Sequence, residues 1–255
     1  MSDSNLLVNY HDACVYESDL RLLESPTAWL NDACILFRLN WISQIRGRTR
    51  TSVADRSDNV LFLDPSVISF MMHQCDDDDL ADLAQGWKLH QRKVVFVPVN
   101  DNHAASAHAF QIPGGGNHWS MMVVLIGMKN NSSSDMNEVK VKYLHFDSSV
   151  GCNERAARLV ARRIQRAINL GSHAGEEAVV IECRTPQQNN GYDCGIFALG
   201  AAEALSDVSL LEGDLMPQSF EMALASFVAD CGAAGFAGYL RHAISNDIKK
   251  LAGKL

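Results

Sequence analysis

The sequence predicts an α+β fold in which helices surround a central mixed sheet. Three runs rich in β-branched and apolar residues predict strands of that sheet: KVVFVPV at 93–99, HWSMMVVLI at 118–126 and VKVKYLHFD at 139–147. Helical patterns occur before and after these runs. Strands grouped along the chain and flanked by segregated helices are typical of this fold class.

The segment before the central strands predicts a long helix, a strand and a second helix. Ser25 and the proline after it predict a helix cap and first turn, and apolar residues at helical spacing extend this helix over roughly 26–46. The run VLFLD at 60–64 predicts a short buried strand. Pro65 then begins a helical stretch that ends near Cys75.

An acidic run, Asp76 to Asp79, is interpreted as the solvated start of a helix, since carboxylates favour the positive end of a helix. An alanine- and arginine-rich helix over about 153–170 and a strand, EAVVIECR at 177–184, follow the central strands. Later helical patterns are broken around 213–217 and 232–235. Two polar or glycine-rich loops, 100–117 and 128–138, separate the central strands, and the sequence leaves their order open.

Composition narrows the possible functions. The 255 residues are expected to form a single domain, 1–255, without a second domain or internal repeat. The net charge of −8 argues against nucleic acid or an anionic membrane as partner. No export signal is evident, so a soluble protein of the cytoplasm or nucleus is expected. Seven scattered cysteines without zinc-type spacing predict reduced thiols, with no metal and no cofactor.

Among the cysteines, Cys194 is the candidate nucleophile. A thiol attacks as the thiolate, which an imidazole or a helix N-terminus stabilises. The run CGIFALGAAEAL at 194–205 predicts a helix, and Asn190 and Gly191 predict a turn before it. Most free cysteines are buried apolar residues, and Cys34 and Cys183 fit that description. Cys194 differs because it follows a polar turn, where a nucleophile would gain access.

Two histidines compete as the general base. His118 begins a strand directly after a glycine-rich loop, whereas His145 lies in a strand two residues before Asp147. The carboxylate of Asp147 could orient either ring, and spacing favours His118 only modestly. Amide side chains at 187–190 are candidates for stabilising an oxyanion, although such residues also suit an ordinary polar loop.

Three motifs in a fixed order resemble a known family. HWS at 118–120, FDSS at 146–149 and QQNNGYDCG at 187–195 resemble the His, Asp and Gln-then-Cys motifs of the Ulp-type, sentrin-specific cysteine proteases. Members of that family remove ubiquitin-like modifiers. The resemblance runs over most of the chain, and it is strongest in TAWLNDACI, KVVFVPVNDN, HWSMMVV and PQQNNGYDCGIFAL.

This resemblance implies a papain-like cysteine protease of the ubiquitin-like-protease type. It implies His118 as general base, Asp147 as its orienting acid, Cys194 as nucleophile and Gln188 as oxyanion donor, and it decides against His145. The segments LLESPTAWLND and VVFVPVNDN are most similar to the deneddylase branch, which acts on the NEDD modifier. The implied partners are a NEDD-type modifier and its lysine conjugates, with cullins as the family's expected targets. A monomer is expected to suffice.

The resemblance also implies a substrate channel. Trp29 and Trp119 would line a narrow tunnel for the modifier's Gly-Gly tail, with Asp32 among the surrounding contacts. Simple core packing is the alternative role, and for Trp29 it is about equally expected. The loop before His118 and the connection from His118 to Asp147, which lie 29 positions apart, are longer than in the family pattern. The first of these extensions could alter substrate access.

Three alternative functions stay open at this point. A SUMO protease would use the same machinery on another modifier. An acyltransferase of related fold would use a similar His, acid, Cys order, although the two tryptophans argue against it. A catalytically dead module would bind a modifier without cleaving it, which the full set of His118, Asp147, Gln188 and Cys194 disfavours.

Overall fold

A five-stranded mixed sheet carries the elements that later form the site. The computed structural model describes residues 5–48, 59–104, 116–128, 139–169, 178–206 and 218–253. The strands are β1 Leu6–Tyr10, β2 Ala13–Tyr16, β3 Val60–Phe62, β4 Val94–Asn100, β5 Trp119–Met128, β6 Val139–Phe146 and β7 Val180–Glu182. The helices are α1 Glu17–Glu24, α2 Asp32–Arg48, α3 Pro65–His73, α4 Asp77–Trp87, α5 Glu154–Ile168, α6 Cys194–Leu205, α7 Gln218–Cys231 and α8 Phe236–Leu251.

The strand order of the sheet is β3-β4-β5-β6-β7. The central strands β4, β5 and β6 are antiparallel, whereas β3 and β7 run parallel to their neighbours. Asn100 at the end of β4 pairs with Trp119 at the start of β5, and Met121 pairs with Phe146 at the end of β6. The end of β4, the start of β5 and the end of β6 therefore meet at one end of the sheet.

Both faces of the sheet are buried. Alternate residues of β5 point to opposite sides, so that Val123 packs into one hydrophobic cluster and Val124 into the other. The first cluster joins the sheet to α2, α6, α7 and α8, and the second joins it to α3 and α5. Burial on both sides explains why β4 and β5 are nearly continuous apolar runs in the sequence. The predicted mixed sheet with flanking helices is confirmed.

The structure corrects the start of the first long helix. The sequence predicts it at Pro26, but α1 ends before Ser25, and α2 begins only at Asp32. The side chain of Asn31 caps α2 by accepting a hydrogen bond from the amide of Cys34 at 3.1 Å. The segment from Ser25 to Asn31 is therefore an irregular connection that lies at the surface of the first cluster.

Most other predicted elements are confirmed. Asp64 caps the helix that begins at Pro65, and Asp76 forms a capping box with Asp79 at the start of α4. The sequence did not predict the N-terminal hairpin of β1 and β2 or the short helix α1. The hairpin turns at His11 and Asp12, which have positive φ angles of 48° and 69° without glycine, so the usual turn signal is missing.

Several sequence predictions fall outside the described residues. They concern most of the loop at 100–117, nearly all of the loop at 128–138 and the helix break around 213–217.

Candidate active site

His118 and Asp147 lie together at the end of the sheet where β5 begins and β6 ends. His118 directly precedes β5, and Asp147 directly follows β6. His118 Nε2 and Asp147 Oδ1 are 2.6 Å apart, and both residues are buried. So short a contact between an imidazole and a carboxylate fixes the plane of the ring. It leaves Nδ1 of His118 to face another group.

The thiol of Cys194 lies close enough to His118 to help raise the pKa of its imidazole. Cys194 is the first residue of α6, as the sequence predicted, so its side chain is in the first helical turn. The turn before it is held by Asn190, whose Oδ1 accepts hydrogen bonds from the amides of Tyr192 and Asp193, each at 3.0 Å. A helix N-terminus and an imidazole thus meet at one sulfur atom.

The thiol is less open than the sequence suggested. Cys194 is only 2% exposed. Leu30 packs against the residue that follows it, at the start of α6. A Cβ atom on the following residue, Gly195, would lie 3.2 Å from the Cβ of Leu30 and 3.4 Å from Ile35. A larger residue at this position would therefore push against both side chains. A substrate must therefore reach the sulfur along a narrow path.

The electrostatics of the site favour a charged imidazole. Burial acts to lower the pKa of His118, but the hydrogen bonds and charges of Asp147 and Cys194 outweigh it and raise that pKa to about 10. Burial likewise acts to raise the pKa of Asp147, yet hydrogen bonds from His118 and from the amides of Ser149 and Asn153 lower it. The arrangement suits an imidazolium between a carboxylate and a thiolate.

Gln188 lies between the Asp147 loop and the turn before Cys194. Its Oε1 accepts a hydrogen bond from Ser148 Oγ at 2.7 Å, and its Nε2 donates to the carbonyl of Asn190 at 2.6 Å. The amide is therefore fixed in orientation by both segments. One N–H group of Nε2 is used in this way, and the other is the candidate donor to an oxyanion.

The neighbouring Gln187 has a different role from the oxyanion donation considered at the sequence level. Its Nε2 donates to the carbonyl of Asp147 at 3.0 Å, and its Oε1 accepts from the amide of Val150 at 3.1 Å. Gln187 therefore holds the loop that carries the carboxylate.

The structure separates His145 from the thiol. Its ring is fully buried between two other partners: Nδ1 lies 2.8 Å from the carboxylate of Glu182, and Nε2 lies 2.8 Å from Ser120 Oγ. His145 is on β6 beside the edge strand β7, while Asp147 extends beyond the strand toward His118. Two occupied ring nitrogens leave this histidine no geometry for general-base chemistry at Cys194.

Sequence reasoning missed two residues that support the catalytic pair. Asn153 donates from Nδ2 to the carbonyl of His118 at 3.2 Å and from its backbone amide to Asp147 Oδ2 at 3.1 Å. Asp101 accepts hydrogen bonds from the amides of Asn117 and His118 at 2.7 and 3.2 Å. Asp101 directly follows β4, and Asn153 directly precedes α5. Polar residues also occur at such positions for local capping, so no sequence signal set these two apart.

The two tryptophans and Asp32 lie on or beside the connection between α1 and α2. Trp29 is in that connection, Asp32 begins α2 directly after it, and Trp119 is the first residue of β5. Trp29 is 50% exposed, and its Nε1 donates to the carbonyl of Gly191 at 2.7 Å. Trp119 is buried, and its Nε1 donates to the carbonyl of Leu30 at 3.0 Å. Asp32 is exposed at the start of α2. One indole thus binds the nucleophile's turn, and the other binds the segment that carries the first.

A cysteine at a helix start, a histidine beside it and a carboxylate behind the histidine, on an α+β frame, define the class of cysteine proteases. Residues 28–215 match the Ulp1 protease family, C-terminal catalytic domain. The chain belongs to this family and is a cysteine protease of the Ulp1 type.

Comparisons with individual proteins agree with this family. The chain is 30% identical over 200 residues to sentrin-specific protease 8 of Mus musculus, covering 78% of this chain and 77% of that protein. It is 30% identical over 208 residues to NEDD8-specific protease 1 of Arabidopsis thaliana, covering 81% of this chain and 77% of that protein.

A solved structure supports the fold. The SUMO protease Ulp1 with its catalytic cysteine oxidised to a sulfonic acid has a TM-score of 0.59 at 17% identity, covering 98% of this chain and 89% of that one. This likeness confirms the predicted fold class.

Proposed function

We propose that this protease cleaves after the C-terminal Gly-Gly of a NEDD8-type ubiquitin-like modifier. The observation that carries the proposal is the 30% identity to a NEDD8-specific protease over 81% of the chain. The proposed reactions are trimming of a precursor and release of the modifier from lysine side chains, since both scissile bonds follow the same tail. Cullin conjugates in the cytoplasm or nucleus are the expected targets.

Cys194 and His118 would carry out the first half of the reaction. The Cys194 thiolate attacks the carbonyl carbon of the tail's last glycine, and the carbonyl electrons move onto oxygen. The amide of Gln188 and the backbone N–H of Cys194 donate to that oxyanion. When the tetrahedral intermediate collapses, the C–N bond breaks and the His118 imidazolium gives its proton to the leaving amine. A thioester to Cys194 and a neutral His118 remain.

The second half hydrolyses the thioester. Neutral His118 takes a proton from water, the hydroxide attacks the thioester carbonyl, and the C–S bond breaks. The products are the modifier's carboxylic acid, which loses its proton to solvent, and the Cys194 thiolate, with His118 protonated again. Asp147 keeps the ring oriented in both halves and stabilises its charge. No other reactant than water is consumed.

The surroundings of the thiol support a tail without side chains. Cys194 is 2% exposed, the segment that holds Trp29 and Leu30 contacts residues on either side of it, and the Trp119 indole binds that segment. A path this narrow excludes a chain with bulky side chains beside the scissile bond. Two consecutive glycines satisfy that condition.

SUMO is the second candidate modifier. One relative with 30% identity is named sentrin-specific protease 8, and the SUMO protease Ulp1 has the same fold. The Ulp1 structure shares only 17% of its residues with this chain, so it supports the fold and not the substrate.

Electrophilic probes can decide between these modifiers. We would incubate the protein with NEDD8, SUMO and ubiquitin that each carry a thiol-reactive group in place of the last glycine, and measure adducts by mass. We expect NEDD8 to react and the Cys194→Ser variant to fail. The matched control is Cys152→Ser, which removes an exposed thiol and should leave labelling intact. Labelling by SUMO alone would overturn the choice of modifier.

A further inference from the structure

Arg241 on α8 has a buried guanidinium, and each of its three nitrogen atoms donates hydrogen bonds. The residue is 3% exposed, and its Nε and Nη2 donate to Asp193 Oδ1 at 3.0 and 2.8 Å. Asp193 is itself 5% exposed and directly precedes the nucleophile. The carbonyl oxygens that Arg241 also binds are those of Leu22 at 3.0 Å, Ser25 at 3.3 Å, Ala28 at 2.8 Å and Tyr192 at 3.3 Å.

These partners belong to two segments: the end of α1 with the connection that follows it, and the turn before Cys194. Leu22, Ser25 and Ala28 lead directly to Trp29, whereas Tyr192 and Asp193 lead directly to Cys194. The two segments touch each other through the Trp29 indole and the carbonyl of Gly191. A single side chain from a third element therefore spans the gap between them. Arg241 lies outside residues 28–215, the part that matches the family.

We propose that Arg241 is a positioning residue of the active site, which sets the distance between the Trp29 segment and the nucleophile's turn. It touches neither the thiol nor the catalytic pair, so it acts through Ala28 and Asp193. In this way α8 determines the width of the path to Cys194. The inference rests on the proposed function, because width matters for a tail that must be threaded.

The chemistry of the side chain suits this role. A guanidinium is planar and rigid, and it offers donors in several fixed directions at once. A lysine would keep the charge opposite Asp193, but a single ammonium cannot also reach the carbonyls of Leu22, Ser25 and Ala28 in that geometry. Arg241→Lys therefore removes the spacing function while it retains the ion pair. It is the first variant to test.

A second variant removes the ion pair without leaving a buried charge. In Arg241→Met/Asp193→Asn, both partners become neutral and keep approximately their size, so the core is not left with an unpaired carboxylate. Arg38→Met is the matched control. Arg38 on α2 is also buried, and it binds Glu203 of α6 and Asp247 of α8 at 2.8 Å each, partners that belong to neither segment.

The decisive measurement is the preference for glycine over alanine at the penultimate position of the substrate's tail. We would determine kcat/KM on NEDD8 joined to aminocoumarin, with either the natural Gly-Gly end or alanine in place of the penultimate glycine. The ratio of the two values reports the width of the path and does not depend on the fraction of folded enzyme. Reaction of Cys194 with iodoacetamide gives a second readout, since a small reagent needs no threaded tail.

We expect both Arg241 variants to lose at least about tenfold of the preference for glycine, because a misplacement on the order of 1 Å has large kinetic effects. Their alkylation by iodoacetamide should change far less. Arg38→Met should keep the wild-type ratio even where its melting temperature falls. An unchanged ratio in Arg241→Lys, with an active wild type, overturns the inference. A wild type that cleaves neither conjugate overturns the proposed function instead.

Discussion

The two histidines near the end of β6 have different roles because their ring nitrogens have different partners. His118 faces Asp147 and Cys194, whereas His145 is held by Glu182 and Ser120. We expect His118→Gln to lower kcat on the order of 10²- to 10⁴-fold, the range for loss of a general acid and base. The loss of kcat in His145→Gln should be much smaller than that range.

Steady-state kinetics on a cleavable NEDD8 conjugate would check this expectation. Circular dichroism would confirm that each variant is folded, since His145 is buried and its replacement strains the surrounding hydrogen bonds. Equal losses of kcat in the two folded variants would contradict the assignment of His118 as the base.

The protonation of His118 predicts the alkaline side of the pH profile. With a raised pKa of about 10, the ring is charged below that pH and loses, above it, the proton that it donates to the leaving amine. We expect kcat/KM to hold through mildly alkaline pH and to fall as the pH rises through about 10. Asp147→Asn removes a hydrogen bond and a charge that raise the pKa, while burial continues to lower it.

The alkaline limb of Asp147→Asn should therefore move to lower pH, by about one unit or more. A pH series of kcat/KM measures this shift. Glu182→Gln is the matched control, because it removes a carboxylate from His145 and leaves His118 untouched. If both substitutions moved the limb equally, the coupling of His118 to Asp147 would be wrong.

At this scale the sequence predicted the candidate reacting groups but not their supports. Three motifs in one order pointed to His118, Asp147 and Cys194, whereas spacing alone left His145 in competition. Asn153, Asp101 and Arg241 act by hydrogen bonds to backbone groups that are distant in sequence. Their residue types are common on loops and helices, so only the fold shows what they bind.

Among the elements, the connection from Ser25 to Asn31 matters most for the site. The serine and proline resemble a helix start, which is why the sequence predicted a helix six residues too early. Tertiary contacts override that local signal. Arg241 binds the carbonyls of Ser25 and Ala28, and Trp119 binds that of Leu30. Carbonyls used in this way are not available for a helical ladder.

The cap of α2 fixes the far end of this connection. Asn31 Oδ1 accepts from the amide of Cys34, and its Nδ2 donates to Asp19 Oδ1 at 2.7 Å. We expect Asn31→Ala to lower the free energy of unfolding by about 1–2 kcal/mol. It should also lower kcat/KM, because the segment that carries Trp29 loses an anchor.

Chemical denaturation and kinetics measure the two effects separately. Asn40→Ala is the control on the same helix. Its amide binds the carbonyl of His11 in the N-terminal hairpin at 2.6 Å, so it should affect stability and leave activity unchanged. An Asn31→Ala variant with full activity would show that the cap does not position the site.

At the scale of the whole molecule, the reacting groups come from both parts of the fold. His118 and Asp147 are carried by the sheet, while Cys194 is on a helix of the first cluster. Cys194 lies beside His118 only if α6 packs correctly on the sheet. Burial of both faces of the sheet was visible in the sequence as the apolar runs of β4 and β5, but the packing of helices on each face was not, because many helix arrangements satisfy the same pattern.

The expectation of a single domain can be tested through this shared sheet. Val123 and Val124 are adjacent on β5, fully buried, and belong to opposite clusters. If the sheet unites both clusters into one cooperative unit, Val123→Ala and Val124→Ala should each destabilise the same transition by about 2 kcal/mol. The melting temperature should fall about 2–4 °C for each kcal/mol lost.

Differential scanning calorimetry gives the decisive comparison. For one unit, the wild type and both variants should show a single peak whose calorimetric and van't Hoff enthalpies agree. Two units would give two transitions, with Val123→Ala shifting one and Val124→Ala the other. Because a loose α6 would separate Cys194 from His118, we also expect activity to vanish along the same thermal curve as the peak. Loss of activity well below that peak would indicate that α6 detaches from the sheet before the molecule unfolds.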